Sequence, residues 1–300
     1  MTDEQRTPES QRQLSGVSVV IPAFNEEGAI AAEIRNIRDE LTRLPIEHEI
    51  IVVNDGSTDG TGSLAREAGA RVIDHPENRG YGAALKTGIR SARFPTVVIT
   101  DADGTYPADA IPTLLDKAEA YDMVVGARTG DDVRDPFIRR PAKWVLQRLA
   151  SFLAEREIPD LNSGLRVLKK PIVERFEHLL PSGFSFTTTI TLAMICNNYA
   201  VYYCPINYGA RIGDSKIRAT DTYQFFLLIL RTIVYFNPLR VFLPIGAVLF
   251  TLASVKFVYD VFMENISDTT VLGYLGAIVI WAIGLLSDQI ARTGLGGRSS

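Results

Sequence analysis

Two apolar runs near the end of this 300-residue chain limit its fold more than any other feature. Residues 241–263 and 271–291 are each long enough to cross the roughly 30 Å hydrocarbon core of a bilayer. Pro244 and Gly246 fall in the first run, and both residue types are tolerated in membrane helices. Lys256 and Asp260 come late in that run, where a lysine can snorkel to an interface. The connection MENISDTT carries acidic residues and no Lys or Arg, whereas Arg231 and Arg240 precede the first run and Arg292 and Arg298 follow the second. The positive-inside rule then places both flanks in the cytoplasm and the short connection outside. Ser287, Asp288 and Gln289 make the end of the second run polar, so the chain is expected to emerge there. No apolar leader stands at the N-terminus, in keeping with a cytoplasmic first domain. The expectation is a multi-pass cell-membrane protein with both termini cytoplasmic.

The stretch 220–236 (TDTYQFFLLILRTIVYF) is different. Its apolar part, Tyr223 to Phe236, is short for a span, and Asn237-Pro238 breaks it. Thr220, Gln224 and Arg231 share one narrow sector of a helical wheel. An interfacial amphipathic helix over 219–238 is the expected form. A third span is the alternative, but it would put the C-terminus outside, against Arg292 and Arg298.

Ahead of the membrane part, strands and helices alternate. Near-continuous apolar runs at 17–22, 49–53, 70–73, 96–100 and 122–126 read as strands. Helical patterns follow Asn25 as N-cap, then at about 59–68, 80–92 and 107–120. Short loops between them predict an α/β fold with a mostly parallel sheet flanked by helices. Further strands are expected at 164–169 and 201–208, and helices at 141–157 and 184–198. Arg134, Arg139, Arg140 and Lys143 precede or open the helix at 141–157; they form a solvated face or meet lipid phosphate. Residues 1–16 are polar and read as a disordered tail, 17–218 as the cytosolic domain, 239–292 as the membrane part and 293–300 as a cytosolic tail. The net charge of −4, with no basic stripe, argues against a nucleic-acid partner. Cys196 and Cys204 show no metal-ligand spacing and are expected as reduced thiols.

Three acidic motifs end the first, second and fourth predicted strands: PAFNEE (22–27), NDGSTDGT (54–61) and DADGTYP (101–107). In a parallel sheet, ligands bind beyond the carboxyl ends of the strands. Two aspartates leaving one strand end could grip a metal, cap a helix, or act as acid and base. Each motif alone is a common turn; together, on one sheet edge, they point to a ligand site.

In these motifs the chain resembles the inverting family 2 glycosyltransferases of GT-A fold, and within them the dolichyl- and polyprenyl-phosphate sugar synthases. The resemblance covers about residues 17–218, and the apolar tail fits the multi-span branch. It implies a nucleotide-diphosphate sugar donor, UDP- or GDP-linked, and a polyprenyl phosphate acceptor at the cytoplasmic face. It further implies that Pro22, Ala23, Asn25, Glu27, Asp55, Asp101 and Ala102 bind the donor nucleotide, with Asp55 meeting the base. NRGYGAALKTG (78–88) matches a family element whose small residues admit backbone close to the nucleotide, bringing in Gly80 and Lys86. Asp101 and Asp103 match the family D-x-D and imply Mg²⁺ or Mn²⁺, with Thr105 as a further ligand; hard oxygen donors suit those ions. Arg128, in VVGAR, matches an arginine near the sugar phosphates. DLNSGLRV (160–167) matches D-x-x-S-G-x-R, which assigns Asp160 as a base, a sugar ligand or a positioning residue, and Ser163 and Arg166 to the acceptor. YGARIGDSKIR (208–218) matches R-x-x-G-x-S-K, so that Arg211, Ser215 and Lys216 hold phosphates; Arg139 joins them on the acceptor side. An ionised phosphate acceptor needs little general base, so positioning and charge neutralisation carry such a transfer. The absence of Q-x-x-R-W, which processive members carry, favours single transfer. Transfer to another lipid or glycan acceptor, or a non-catalytic lipid- or nucleotide-binding component, are the other readings. A downstream flippase and self-association into a homo-oligomer are compatible with this picture.

Overall fold

The computed structural model describes residues 15–128, 157–183, 185–207 and 237–296, with single positions between them and side chains as far as Ala291. Arg134, Arg139, Arg140, Lys143, Arg211, Ser215 and Lys216 lie outside the described residues, as do most of the expected helices at 141–157 and 219–238 and most of both tails. The chain divides into two compact units, one built on a sheet and one on two long helices.

The sheet unit holds seven strands: β1 (Val17–Ala23), β2 (His48–Asp55), β3 (Arg71–His75), β4 (Thr96–Ile99), β5 (Met123–Arg128), β6 (Arg166–Lys169) and β7 (Val201–Ile206). Their order is β3-β2-β1-β4-β6-β5-β7. All pairings are parallel except those of β6, which runs antiparallel to both β4 and β5. β1 is buried along its whole length, as a central parallel strand covered on both faces must be. The winding reverses between β1 and β4, and the crevice at such a switch point is where this architecture takes ligands.

Six described helices cover the sheet: α1 (Ile30–Thr42), α2 (Thr61–Glu67), α3 (Tyr81–Ser91), α4 (Ala110–Lys117), α5 (Lys170–Phe176) and α6 (Phe186–Cys196). α1 turns Ile30, Ile34, Ile37 and Leu41 inward at the 3.6-residue period. It starts at Ile30, so Asn25 is not its N-cap. Asn25 instead adopts φ 55°, the left-handed conformation in which asparagine turns a chain out of a strand. α5, begun by Pro171 in its first turn, was not expected from the sequence. α6 is buried on nearly all sides; Thr189 and Thr191 donate to the carbonyls four residues back, and Thr188 donates to Asn162 Oδ1. Cys196 and Cys204 are free thiols, as expected.

The second unit is a helical hairpin, α7 (Leu239–Phe262) and α8 (Asp268–Gly296). Both helices are long and apolar enough to cross a membrane. α8 runs unbroken through Ser287–Gln289, where the sequence predicted an exit from the span. Glycines let the helices close on each other: a Cβ on Gly246 would sit 2.3 Å from Trp281 Nε1, and one on Gly284 2.7 Å from Phe242 Cβ. Trp281 Nε1 donates to the Leu243 carbonyl. At the turn Asp260 accepts from Lys256, from the Ser267 N–H and hydroxyl, and from the Thr270 hydroxyl. The lysine expected to snorkel is thus paired within its own helix. Leu252, Val255, Phe262, Leu272, Leu286 and Ile290 remain exposed on the outer faces.

Candidate active site

The loops after β1 and β2 are laced together by their own polar groups. The Asn25 N–H donates to Ser57 Oγ, and Asn25 Oδ1 accepts from the Thr58 N–H. The Glu26 N–H donates to Thr61 Oγ1, and Glu27 Oε2 accepts from the Gly60 N–H. The loops after β1 and β2 therefore form one ledge on the carboxyl edge of the sheet, with Pro22 and Ala23 paired to Val53 and Asn54 beneath it.

Asp55, the last residue of β2, is only 3% exposed. Its Oδ1 lies 2.6 Å from His75 Nδ1 and accepts from the Arg79 N–H; its Oδ2 accepts from the Gly80 N–H. Before it can meet any base, this carboxylate holds the loop that leads into α3. Gly80 and Gly82 were expected to let backbone approach a nucleotide. They instead admit another backbone: a Cβ on Gly82 would lie 2.2 Å from the Pro181 carbonyl oxygen, and one on Gly80 2.6 Å from that of Ser182. The Ala83 N–H donates to Ser182, and Lys86 Nζ to the Leu180 carbonyl. The 180–183 turn thus caps α3, and Lys86 gives one of its ammonium donors to that cap.

Asp101 and Asp103 follow β4, at the switch point. The Tyr81 hydroxyl donates to Asp101 Oδ1 at 2.9 Å. Asp103, 6% exposed, accepts at Oδ1 from the Thr105 hydroxyl and N–H. Gly104, between Asp103 and Thr105, has φ 71° and turns the chain there. Ala102 is buried between the two aspartates. Glu33 comes in from the first turn of α1. Its carboxyl is pushed up to about 7 by burial and by the charges of Asp103 and Asp101. Burial is the larger cause, but the part due to the two aspartates reflects a negative potential that a divalent cation would relieve, and the donors are hard oxygens. The residues therefore fit Mg²⁺ or Mn²⁺ on Asp101 and Asp103. Among the described residues no three such side chains converge as a ready-made cage. Thr105 is 1% exposed and serves Asp103 through its hydroxyl.

Arg128 and Asp160 form a two-pronged ion pair. Arg128 Nε lies 2.7 Å from Asp160 Oδ2 and Nη2 2.9 Å from Oδ1. The Arg128 and Asn162 N–H groups also donate to this carboxylate. Burial pushes the Asp160 carboxyl up, but these bonds and the guanidinium charge outweigh it and hold it below the ordinary carboxylate range.

Ser163 and Arg166, expected to meet the acceptor, are turned into the protein. Both have no exposed surface. Ser163 Oγ donates to the Gly126 carbonyl. Arg166 donates to the Ser163 and Leu161 carbonyls and to Thr191 Oγ1. The arginine is buried because it satisfies the carbonyls of the turn that presents Asp160, leaving it no path to a phosphate.

The sequence did not single out Glu33, His75, Tyr81 or Tyr106. Tyr106 accepts from the Gly164 N–H through its hydroxyl, and a Cβ on Gly164 would lie 2.8 Å from both Asp101 oxygens. These contacts stitch the D-x-D turn to the 160–164 turn. The one available signal was Glu33, a carboxylate on the apolar stripe of α1.

A mostly parallel sheet with a D-x-D turn at its switch point is the mark of a GT-A glycosyltransferase fold. Glucosyl-3-phosphoglycerate synthase from Mycobacterium tuberculosis, solved with Mn²⁺, uridine diphosphate and glucosyl-3-phosphoglycerate, has that fold. It aligns at 23% identity with a TM-score of 0.58, over 73% of this chain and 80% of that one. The chain belongs to glycosyl transferase family 2, whose model matches residues 18–176; a model described as the GtrB C-terminal hairpin matches residues 237–293. A dolichyl-phosphate hexose transferase of Haloferax volcanii is 34% identical over 67% of this chain and 86% of its own length. A bactoprenol glucosyl transferase homologue of Escherichia coli K12 is 29% identical over 92% of this chain and 94% of its own. The bactoprenol glucosyl transferase of Shigella phage SfV is 30% identical over 92% and 93%.

Proposed function

We propose that this chain moves one hexose from a nucleotide-diphosphate sugar, UDP- or GDP-linked, to a polyprenyl phosphate at the cytoplasmic face of the cell membrane. The products are a polyprenyl-phosphate monosaccharide and a nucleoside diphosphate. The observation that carries this reading is the likeness to bactoprenol glucosyl transferases over 92% of the chain, hairpin included. The hairpin anchors the chain where a prenyl lipid lies, and both termini are cytoplasmic in this reading. Residues 17–218 form the transfer domain, with Arg211, Ser215, Lys216 and Arg139 on its phosphate-binding side.

Asp101 and Asp103 hold the divalent cation, Mg²⁺ or Mn²⁺, which when bound offsets charge on the departing diphosphate. The remaining work belongs to this chain. The ledge of residues 25–27 and 54–61 orients the nucleotide, and Arg128 orients an anionic oxygen. The acceptor phosphate is ionised at neutral pH, so it attacks the anomeric carbon without giving up a proton. In-line displacement inverts that centre. The depressed Asp160 carboxyl is a poor base, which disfavours the alternative of a hydroxyl acceptor on another lipid or glycan.

The test uses the purified full-length chain with undecaprenyl phosphate, Mn²⁺ or Mg²⁺, and a panel of UDP- and GDP-sugars. A glycolipid sensitive to mild acid is expected with one donor. No product with any donor, while a control enzyme works, removes the proposal. Asp103→Ala is expected to stay folded and to lose both transfer and Mn²⁺ binding.

A further inference from the structure

Two distant segments hold the Asp101 carboxylate, and each of them is held in turn. The Tyr81 hydroxyl donates to Asp101 Oδ1 at 2.9 Å, because an ionised carboxylate can only accept. Tyr81 is the first residue of α3, and that helix end is tied down: the Gly80 N–H donates to Asp55 Oδ2 and the Ala83 N–H to the Ser182 carbonyl. The second hold is Gly164. A Cβ there would lie 2.8 Å from each Asp101 oxygen and 2.9 Å from Cγ, so this backbone lies across the pair of oxygens rather than beside one of them. Gly164 is fixed by its N–H on the Tyr106 hydroxyl at 2.6 Å. The outer torsion of an aspartate is broad, so contacts of this kind, not rotamer preference, decide how its carboxylate is turned. Asp103 differs: the Thr105 hydroxyl and N–H orient it within its own turn. The phenol is thus a long-range hold on the first carboxylate of the D-x-D.

We infer that Tyr81 is a positioning residue for cation selectivity: its hydroxyl fixes the turn of the Asp101 carboxylate, so that the D-x-D takes Mg²⁺ or Mn²⁺ in preference to Ca²⁺. Mg²⁺ demands near-ideal octahedral geometry, and Mn²⁺ also favours six oxygens. Ca²⁺ accepts about six to eight oxygens in looser arrangements, with carboxylates on one oxygen or two. A carboxylate locked in one orientation suits the strict ions, whereas one free to swivel can follow Ca²⁺. The inference rests on the reading of Asp101 and Asp103 as the cation site, and it adds the residue that sets which cation that site prefers.

The test uses the full-length chain in detergent and reads binding, not turnover. The electron paramagnetic resonance signal of free Mn²⁺ gives the Mn²⁺ affinity, with and without UDP, and displacement of bound Mn²⁺ by added Ca²⁺ gives the Ca²⁺ affinity. The parent is expected to prefer Mn²⁺. Tyr81→Phe, which removes only the hydroxyl, is expected to narrow the ratio of the two affinities by about tenfold, chiefly by weakening Mn²⁺. Gly164→Ala, which crowds both Asp101 oxygens, should shift the ratio in the same direction, and it decides the matter if Tyr81→Phe fails to fold. A folded variant with the parental ratio overturns the inference. So does an equal loss of both ions, which is what a merely structural tyrosine would give. If the parent binds neither ion, with or without UDP, the cation reading of the D-x-D falls and takes this inference with it. If the parent binds Mn²⁺ and the ratio does not move, the cation reading stands and only the role of Tyr81 falls.

Discussion

His75 Nδ1 lies 2.6 Å from Asp55 Oδ1, and the other nitrogen of the same ring lies 3.0 Å from the Thr87 hydroxyl. The ends of β2 and β3 and the middle of α3 are thereby tied through one buried imidazole. His75→Leu leaves a buried carboxylate short of a partner and is expected to cost about 1–3 kcal/mol in urea unfolding. It should also loosen the Arg79–Gly80 backbone and weaken UDP binding. His75→Asn, which can offer a donor near the Nδ1 position, should recover part of both. Equal stability for His75→Leu and the parent would refute the tie.

Gly82 faces a carbonyl that cannot retreat, because the Ala83 N–H and Lys86 Nζ hold the 180–183 turn from either side. Gly82→Ala is expected to destabilise the sheet unit by about 1–3 kcal/mol through overpacking. Gly183→Ala, where a Cβ meets nothing within 4 Å, is the control and should change little. Thermal unfolding of the two variants side by side decides it.

Glu33 makes stability depend on pH in a defined direction. Its folded pKa of about 7 lies above the ordinary 4.5, so the fold favours the protonated form. That stabilisation is complete below about pH 4.5 and is lost as pH rises through 7, a change of up to about 3 kcal/mol at the alkaline end. In EDTA the melting midpoint of the parent should therefore fall between pH 5 and pH 8 more than that of Glu33→Gln, which cannot ionise. Saturating Mn²⁺ favours the ionised carboxyl and should shrink the difference. Identical pH slopes in the two proteins would contradict this placement of Glu33.

Gly246 lets the indole of Trp281 lie against the backbone of α7 and reach the Leu243 carbonyl. Gly246→Leu is expected to push the helices apart. In vesicles, digestion by an added protease should cut the 263–267 connection faster in this variant than in the parent, while the sheet unit keeps its melting midpoint. Digestion at the parental rate would show that the close approach is not needed.

Much of the sheet unit was legible because its strands are continuous apolar runs and its motifs sit at their ends. Local chemistry sufficed there: Val, Ile and Leu define the buried strands, and Asn, Asp and Gly punctuate them. Asp101 and Asp103 were found because the D-x-D spacing is itself the chemistry. The hairpin was legible from length and hydropathy alone. Other features were not local. Ser163 and Arg166 sit in a motif that reads as ligand-binding, yet the fold turns them inward, where the carbonyls of residues 161, 163 and 126 need donors. Gly80 and Gly82 read as space for a nucleotide, but the space is filled by residues 181–183, a hundred positions along the chain.

The sequence by itself determined which strands form, which edge carries the carboxylates and which helices can cross a membrane, because those follow from side-chain periodicity and composition. Only the tertiary structure decided what each polar group is for. A carboxylate can clamp a loop, as Asp55 does, hold a guanidinium, as Asp160 does, or share a cation, as we propose for Asp101 and Asp103. Which of these happens depends on the donors that distant segments bring to it, and a linear chain does not display those distances.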